Sequence, residues 1–286
     1  MTTKPIVAAT DGSEESLRAV EWAAREAVLH GAPLRIVAAV ELLPRMQGPS
    51  EAPGLGAVAD VLRGNRDHAL VAAANRVTAA YPQLAIDTDP LSGPVARAVT
   101  DSGSGALMLV VGSRGSGAFA AMILGSVSRY AATHASCPVA VIRDEPAVPH
   151  RLIAVGIRDT GNCQDALAFA FEEAAQHHAT LTAVHAWHGP AADGAKDAAG
   201  RQLAELLASW QAKYPGVQVH QEVVHGHPGR VLAGFSARAD LTVLGDHAPQ
   251  GADTRGPGTV THAVLNHAHG PVVTVPSSPQ PSRKQP

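Results

Sequence analysis

Aromatic residues are scarce in this chain: four Phe, three Trp and three Tyr, or 3% of 286 residues. A protein that grips single-stranded nucleic acid stacks bases on aromatic rings, and one that grips a duplex needs an excess of Lys and Arg. The net charge is −3 instead, so no nucleic-acid binding is expected. Cysteine is nearly absent as well. Cys137 and Cys163 fit no metal or redox spacing, and one pair cannot staple a chain of this length, which points to ordinary thiols in a reducing compartment. No apolar run approaches the roughly 20 residues that cross a bilayer, and the stretch before Asp11 is too short for the apolar core of a signal peptide. The expectation is a cytoplasmic protein with no membrane contact. Charged residues make up 16% against 45% hydrophobic, which excludes disorder for most of the length and leaves room for one large domain or two ordinary ones.

What the sequence does contain is a repeat of itself. Gly125-Ser126-Val127 through Cys137-Pro138-Val139 lines up with Gly258-Thr259-Val260 through Gly270-Pro271-Val272, 133 residues later. At the same offset Leu109-Val110-Val111-Gly112 falls on Thr242-Val243-Leu244-Gly245, and Gly93 and Arg97 fall on Gly226 and Arg230. Near the two starts, Ile6 to Ala27 matches Ile153 to Ala174 at an offset of 147. The first copy therefore carries extra residues, and the Pro- and Gly-rich stretch Pro44 to Gly64 is the natural place for them. The division that follows is a first domain over 1–143, a linker over 144–150 with two prolines, a second domain over 151–276 and a disordered polar tail over 277–286.

Each copy alternates short β-rich runs with helical periods, the pattern of a parallel sheet flanked by helices. In the first copy, strands are expected at Pro5–Ala9, Leu34–Val40, Leu84–Thr88, Leu107–Val111 and Pro138–Ile142. Helices are expected at Glu14–His30, Asp67–Ala80, Val95–Asp101 and from Val127. Ser13 suits the N-cap of the first helix, Glu14 and Glu15 favour the positive end of its dipole, and Gly31 and Pro33 supply the stop. Leu17, Val20, Ala24, Ala27 and Val28 form its apolar face, whereas Arg18, Glu21, Arg25 and Glu26 read as its solvated one.

The strongest local signal is Gly112-Ser113-Arg114-Gly115, followed after nine residues by Gly125-Ser126. Gly112 ends an expected buried strand and Ser126 opens an expected helix. Backbone N–H groups and the positive end of a helix dipole would then converge beyond the carboxyl edge of the sheet, where phosphates bind. Glycines allow close approach of the main chain to a ligand. Asp11 ends the first strand, which neighbours the fourth in a doubly wound sheet, so its carboxylate can accept hydrogen bonds from a ribose or an adenine across the same crevice.

With Asp11-Gly12-Ser13 and G-x-x-G, nine residues, G-S, the chain resembles the nucleotide-binding branch of the universal stress protein family, in its tandem two-domain form. The resemblance covers nearly the whole chain. It implies two doubly wound, Rossmann-like α/β domains, each a five-stranded parallel sheet. It implies that Asp11 contacts the nucleoside, that Val40 lines the adenine pocket, and that Gly112, Gly115, Gly125, Ser126 and Val127 surround ribose and phosphates. ATP with a divalent cation such as magnesium is the implied ligand. The last strands, Pro138–Ile142 and Pro271–Val275, would pair as covered edges, making the chain a pseudo-dimer that can also form a homodimer. A protein partner is implied, and its identity is left open.

The second copy departs from this pattern. Gly245, Gly258, Thr259 and Val260 keep their spacing as candidate nucleotide contacts, but Ala248 replaces the middle glycine and Arg158 stands where Asp11 aligns, with Asp159 next to it. Its glycine loop, Pro249 to Pro257, lacks the apolar Phe119, Met122, Ile123 and Leu124 of the first copy and carries Asp253 and Arg255. The second site is therefore read as altered, with Arg158 or Arg255 available to offset phosphate charge. No G-x-x-x-x-G-K-[ST] loop or G-x-S-x-G elbow occurs, and no Lys lies in either glycine loop to stabilise a transferring phosphoryl group. The leading expectation is an ATP-binding regulator of a stress or growth response. The alternatives are a slow ATP hydrolase and an interaction scaffold with vestigial sites. Histidine is uneven, 15 in total with 12 after residue 149. His225/His227 and His267/His269 lack an acid or thiol to complete a metal-ligand set and read as solvated or locally bonded.

Overall fold

Alternate side chains of the first strand go to two different cores. Ile6 and Ala8 join one, Val7 the other, and all three are fully buried. This is what a parallel sheet covered on both faces demands, and it explains the continuous apolar runs along the sequence. The computed structural model describes residues 3–42, 55–115, 124–143, 148–158, 163–188, 194–245 and 258–277. Phe119, Met122, Ile123, Asp159, Ala248, Asp253, Arg255, the first part of the expected insertion and nearly all of the expected tail lie outside these residues, as does 144–147 of the expected linker.

The first repeat runs β1 (Ile6–Ala9), α1 (Glu14–Leu29), β2 (Leu34–Val40), α2 (Leu55–Ala80), β3 (Ile86–Ser92), α3 (Val95–Ser102), β4 (Met108–Gly112), α4 (Ser126–His134) and β5 (Val139–Ile142). The second runs β6 (Leu152–Ile157), α5 (Gln164–Gln176), β7 (Thr180–Trp187), α6 (Ala195–Lys213), β8 (Val219–His225), α7 (Pro228–Ser236), β9 (Leu241–Gly245), α8 (Thr259–His267) and β10 (Val272–Val275). Ser13 caps α1 as expected, its side chain accepting from the Ser16 N–H. Gly31, at φ +59°, turns the chain out of the helix.

Three expectations need correction. The helix expected from Asp67 begins at Leu55, so ten residues of the presumed insertion belong to α2. The third strand ends at Ser92 rather than Thr88 and contains Pro90. Proline normally ends a strand, but β3 pairs only with β2 and lies at the sheet edge, where a missing N–H is tolerated. On α1, Val28 is 52% exposed, whereas Glu26, read as solvated, is 3% exposed.

The strands form one sheet of order β3-β2-β1-β4-β5-β10-β9-β6-β7-β8. Every pairing is parallel except that between β5 and β10, where Val141 faces Val272, Ala140 faces Val273 and Val139 faces Thr274. Ala140 and Val273 are 133 residues apart, so this register is symmetric about their pair and each repeat protects the edge of the other. The helices segregate: α1, α2, α5 and α6 cover one face, α3, α4, α7 and α8 the other.

At the seam, α1 and α5 bring four ionisable side chains together. Glu26 faces His177 at 3.0 Å, and Glu173 faces His30 at 3.3 Å. Burial alone would lower the His177 imidazole, but the carboxylates of Glu173 and Glu26 overcome it and hold it at about 10. Glu173 likewise raises His30 against the effect of burial.

Candidate functional site

In each half of the sheet the strand order reverses direction at the first strand of the repeat. Between β1 and β4 the chain therefore leaves to opposite faces, and a crevice opens beyond their carboxyl ends. A cavity of about 470 Å³ occupies this place. Six of the seven first-repeat residues singled out in the sequence line it: Asp11, Gly112, Gly115, Gly125, Ser126 and Val127.

Val40 is the seventh, and it is elsewhere. Side chains alternate along β2, and Val40 points to the opposite face, where it is buried with Leu42 and Ala59. Ala39 lines the crevice instead, beside Val95, Val99 and Val111. Counting in twos from the buried Leu34 would have made this choice.

Asp11 is held by its own turn. Its Oδ1 accepts from the Ser13 N–H at 3.0 Å and from the Ser13 hydroxyl at 2.5 Å. Its Oδ2 faces Gly115 so closely that a Cβ there would sit 2.6 Å from it. A side chain at 115 would have to push this carboxylate aside. Behind Asp11 lies a hydroxyl pair that the sequence reading missed: Thr10 Oγ1 and Ser16 Oγ are 3.0 Å apart and buried. The Gly12 N–H donates to Thr10 Oγ1 at 3.1 Å and the Asp11 N–H to Ser16 Oγ at 3.3 Å, so this pair fixes the backbone that carries Asp11.

Opposite stands the start of α4. Its first internal bond runs from the Arg129 N–H to the Gly125 carbonyl at 3.0 Å, which leaves the N–H groups of Ser126, Val127 and Ser128 without intrahelical acceptors. No side chain caps them, because Gly125 occupies the cap and Ser128 Oγ is engaged at 2.6 Å with the Gly112 carbonyl. These donors and the positive helix end face a cavity that Arg114 also lines. The arrangement is suited to an anion on one side, an apolar ring on another and a hydroxyl-bearing sugar between them. A larger cavity, about 810 Å³, lies at the seam and shares Arg114 with this crevice.

The second crevice occupies the corresponding place between β6 and β9. It measures about 280 Å³ and is lined by Gly245, Gly258, Thr259, Val260 and Arg158, so all four second-repeat glycine-loop candidates converge there. The repeat offsets explain its smaller size: Leu232 and Leu244 stand where the first repeat has Val99 and Val111. They crowd the floor so far that a Cβ on Gly156 would meet Leu232 Cδ1 at 2.9 Å and Leu244 Cδ2 at 3.1 Å. The polar backing is gone too. Ile157 and Cys163, both buried, replace Thr10 and Ser16.

Taken together, a duplicated β-α sheet and glycine-lined crevices at its switch points define a tandem doubly wound α/β protein. The model of the universal stress protein family matches residues 2–143 and again 150–276. A universal stress protein of Mycolicibacterium smegmatis is 33% identical over 284 residues, covering 94% of this chain and 96% of its own length. One from Mycobacterium tuberculosis is 34% identical over 286 residues, covering 96% and 97%. A solved universal stress protein from Archaeoglobus fulgidus has the same fold, with a TM-score of 0.71 at 19% identity over 97% of this chain and 98% of that one. The chain belongs to the universal stress protein family and carries two copies of its domain.

Proposed function

We propose that the first repeat binds ATP, with magnesium carried on its phosphates, and that the chain works as a nucleotide-dependent regulator of a stress or growth response. The observation that carries this reading is the convergence of the Asp11 carboxylate, the Gly112 and Gly115 backbone and the uncapped start of α4 around one cavity of about 470 Å³. Ala39, Val95, Val99 and Val111 offer an apolar slot for the base. Asp11 accepts hydrogen bonds from the ribose. The N–H groups of Ser126, Val127 and Ser128, with Arg114, take the phosphates, since a helix start combines free donors with a favourable dipole. Magnesium needs no protein cage here, because it commonly binds through substrate phosphates and water.

The test is calorimetric titration of the nucleotide-stripped full chain with Mg-ATP, beside Gly125→Trp and Gly258→Trp variants. One site per chain, lost in Gly125→Trp and kept in Gly258→Trp, is the expected result. Equal binding by all three proteins, or none by the unmodified chain, would refute the reading.

A further inference from the structure

The repeat register that aligns Ile6 to Ala27 with Ile153 to Ala174 extends a few residues further. Glu26-x-x-x-His30 falls on Glu173-x-x-x-His177. Residues four apart share one helix face, and the symmetric seam turns the two faces toward each other. His30 Nε2 lies 3.3 Å from Glu173 Oε1 and 3.9 Å from Glu26 Oε2. His177 Nε2 lies 3.0 Å from Glu26 Oε2 and 3.5 Å from Glu173 Oε2. In a tetrahedral metal site with bonds of about 2.0 Å, neighbouring ligand atoms are about 3.3 Å apart. Glu26, His30 and Glu173 already offer ligand atoms that all lie within 4.8 Å of one another.

Two further observations point to a cation. Glu173 and Glu26 side chains are only 2% and 4% exposed, yet Glu173 Oε2 and His30 Nε2 are buried without a hydrogen bond. Such orphaned atoms are costly unless something completes them. His30 and His177 are the C-cap residues of α1 and α5, so the negative ends of two helix dipoles meet at the cluster. A cavity of about 230 Å³ reaches Glu26 and His177 from outside the cluster, with Asp240, Arg25 and Arg151 on its wall.

We propose that Glu26, His30, Glu173 and His177 form a divalent transition-metal site, of the zinc class, that clasps the two repeats at their symmetry axis. The donor set of two imidazoles and two carboxylates suits zinc better than calcium or magnesium, which prefer oxygen alone. Two carboxylates balance the two charges of the ion, and neutral imidazoles complete the shell, so the buried site is uncharged overall. Because the ligands come in equal number from α1 and α5, the metal binds the assembled chain and stabilises it.

The test uses the full chain freed of metal with a chelator, then titrated with zinc chloride and analysed for retained metal after desalting. One zinc per chain is expected, with a rise in melting temperature of about 5 °C or more at saturating zinc. Glu173→Gln and His30→Gln variants should each lose at least about 100-fold in zinc affinity, as removal of a ligand demands, while Gly125→Trp retains it. Should the variants fold poorly, cobalt chloride added to the unmodified chain decides alone. An intense visible band of four-coordinate cobalt supports the site, and the pale spectrum of six-coordinate cobalt overturns it. No retained zinc, or zinc retained equally by the ligand variants, would mean that the cluster is a buried ion-pair network and no metal site.

Discussion

The two repeats share a strand order, and a handful of the side chains at which they differ decide what each crevice can hold. Where the first repeat has Val99 and Val111, the second has Leu232 and Leu244, and the cavity falls from about 470 to about 280 Å³. The first repeat sets Asp11 on a buried Thr10–Ser16 hydroxyl pair, whereas the second sets Arg158 beside an apolar Ile157–Cys163 pair. The glycines that end the fourth strand and open the fourth helix survive in both, as Gly112 and Gly125 and as Gly245 and Gly258, whereas Gly115, which faces Asp11, gives way to Ala248. A glycine pattern therefore reports a fold, and the residues beneath it report a ligand.

Transplanting the second floor into the first crevice should have the largest effect. In a Val99→Leu/Val111→Leu variant two added methylenes occupy the slot assigned to the base. Overpacking costs about 1–3 kcal/mol for each such change, so Mg-ATP affinity should drop at least about 100-fold in a titration. Undiminished affinity would show that these valines do not touch the ligand.

Removing the carboxylate comes next. Asp11→Ala leaves the start of α4 in place and deletes the acceptor facing Gly115, together with the two hydrogen bonds from Ser13. A hydrogen bond to a charged group contributes about 1.5–3 kcal/mol, so ATP and adenosine alike should bind about 10- to 100-fold more weakly. A loss seen with ATP and not with adenosine would move Asp11 from the ribose to the phosphate end.

Much of this contrast was legible in the sequence. The offsets of 133 and 147 residues align both glycine loops, and Gly112, Gly115, Gly125, Ser126 and Val127 line one crevice as Gly245, Gly258, Thr259 and Val260 line the other. Val40 was misplaced because the family pattern gives a position along the strand, and only the two-residue alternation gives the face. The third strand was expected to end at Thr88, and that it runs on through Pro90 follows only from its place at the sheet edge. Glu26 was read as solvated because charge usually means solvent on a helix. Its burial follows from the β5–β10 seam, which brings in a second helix that no local pattern announces. The signal available was the repeat itself, in the matching Glu-x-x-x-His on α1 and α5.

Emptying the second floor should have a moderate effect on stability. Leu232 and Leu244 are buried against Gly156. Trimming either to Val removes one methylene and should cost about 1 kcal/mol, or roughly 2–4 °C in melting temperature for a chain of this size. If both variants melt with the unmodified protein, the leucines do not fill the crevice as tightly as the contacts indicate.

The most diagnostic effect concerns the polar backing of Asp11. Ser16→Ala removes one member of the buried hydroxyl pair, leaving Thr10 Oγ1 and the Asp11 N–H short of a partner. That should cost about 1–2 kcal/mol of stability, because an orphaned buried group loses its solvation without compensation. Exchanging both residues for those of the second repeat, Thr10→Ile with Ser16→Cys, also takes the acceptor from the Gly12 N–H and should cost at least as much as the single change. With Thr10→Ile measured alone as well, the double change minus the two single ones is a coupling energy, and neighbours in contact commonly show about 0.5–3 kcal/mol of it. If the double variant stays folded but loses ATP, the hydroxyl pair serves to hold Asp11 in position; lost stability with ATP binding kept would make it an ordinary part of the core.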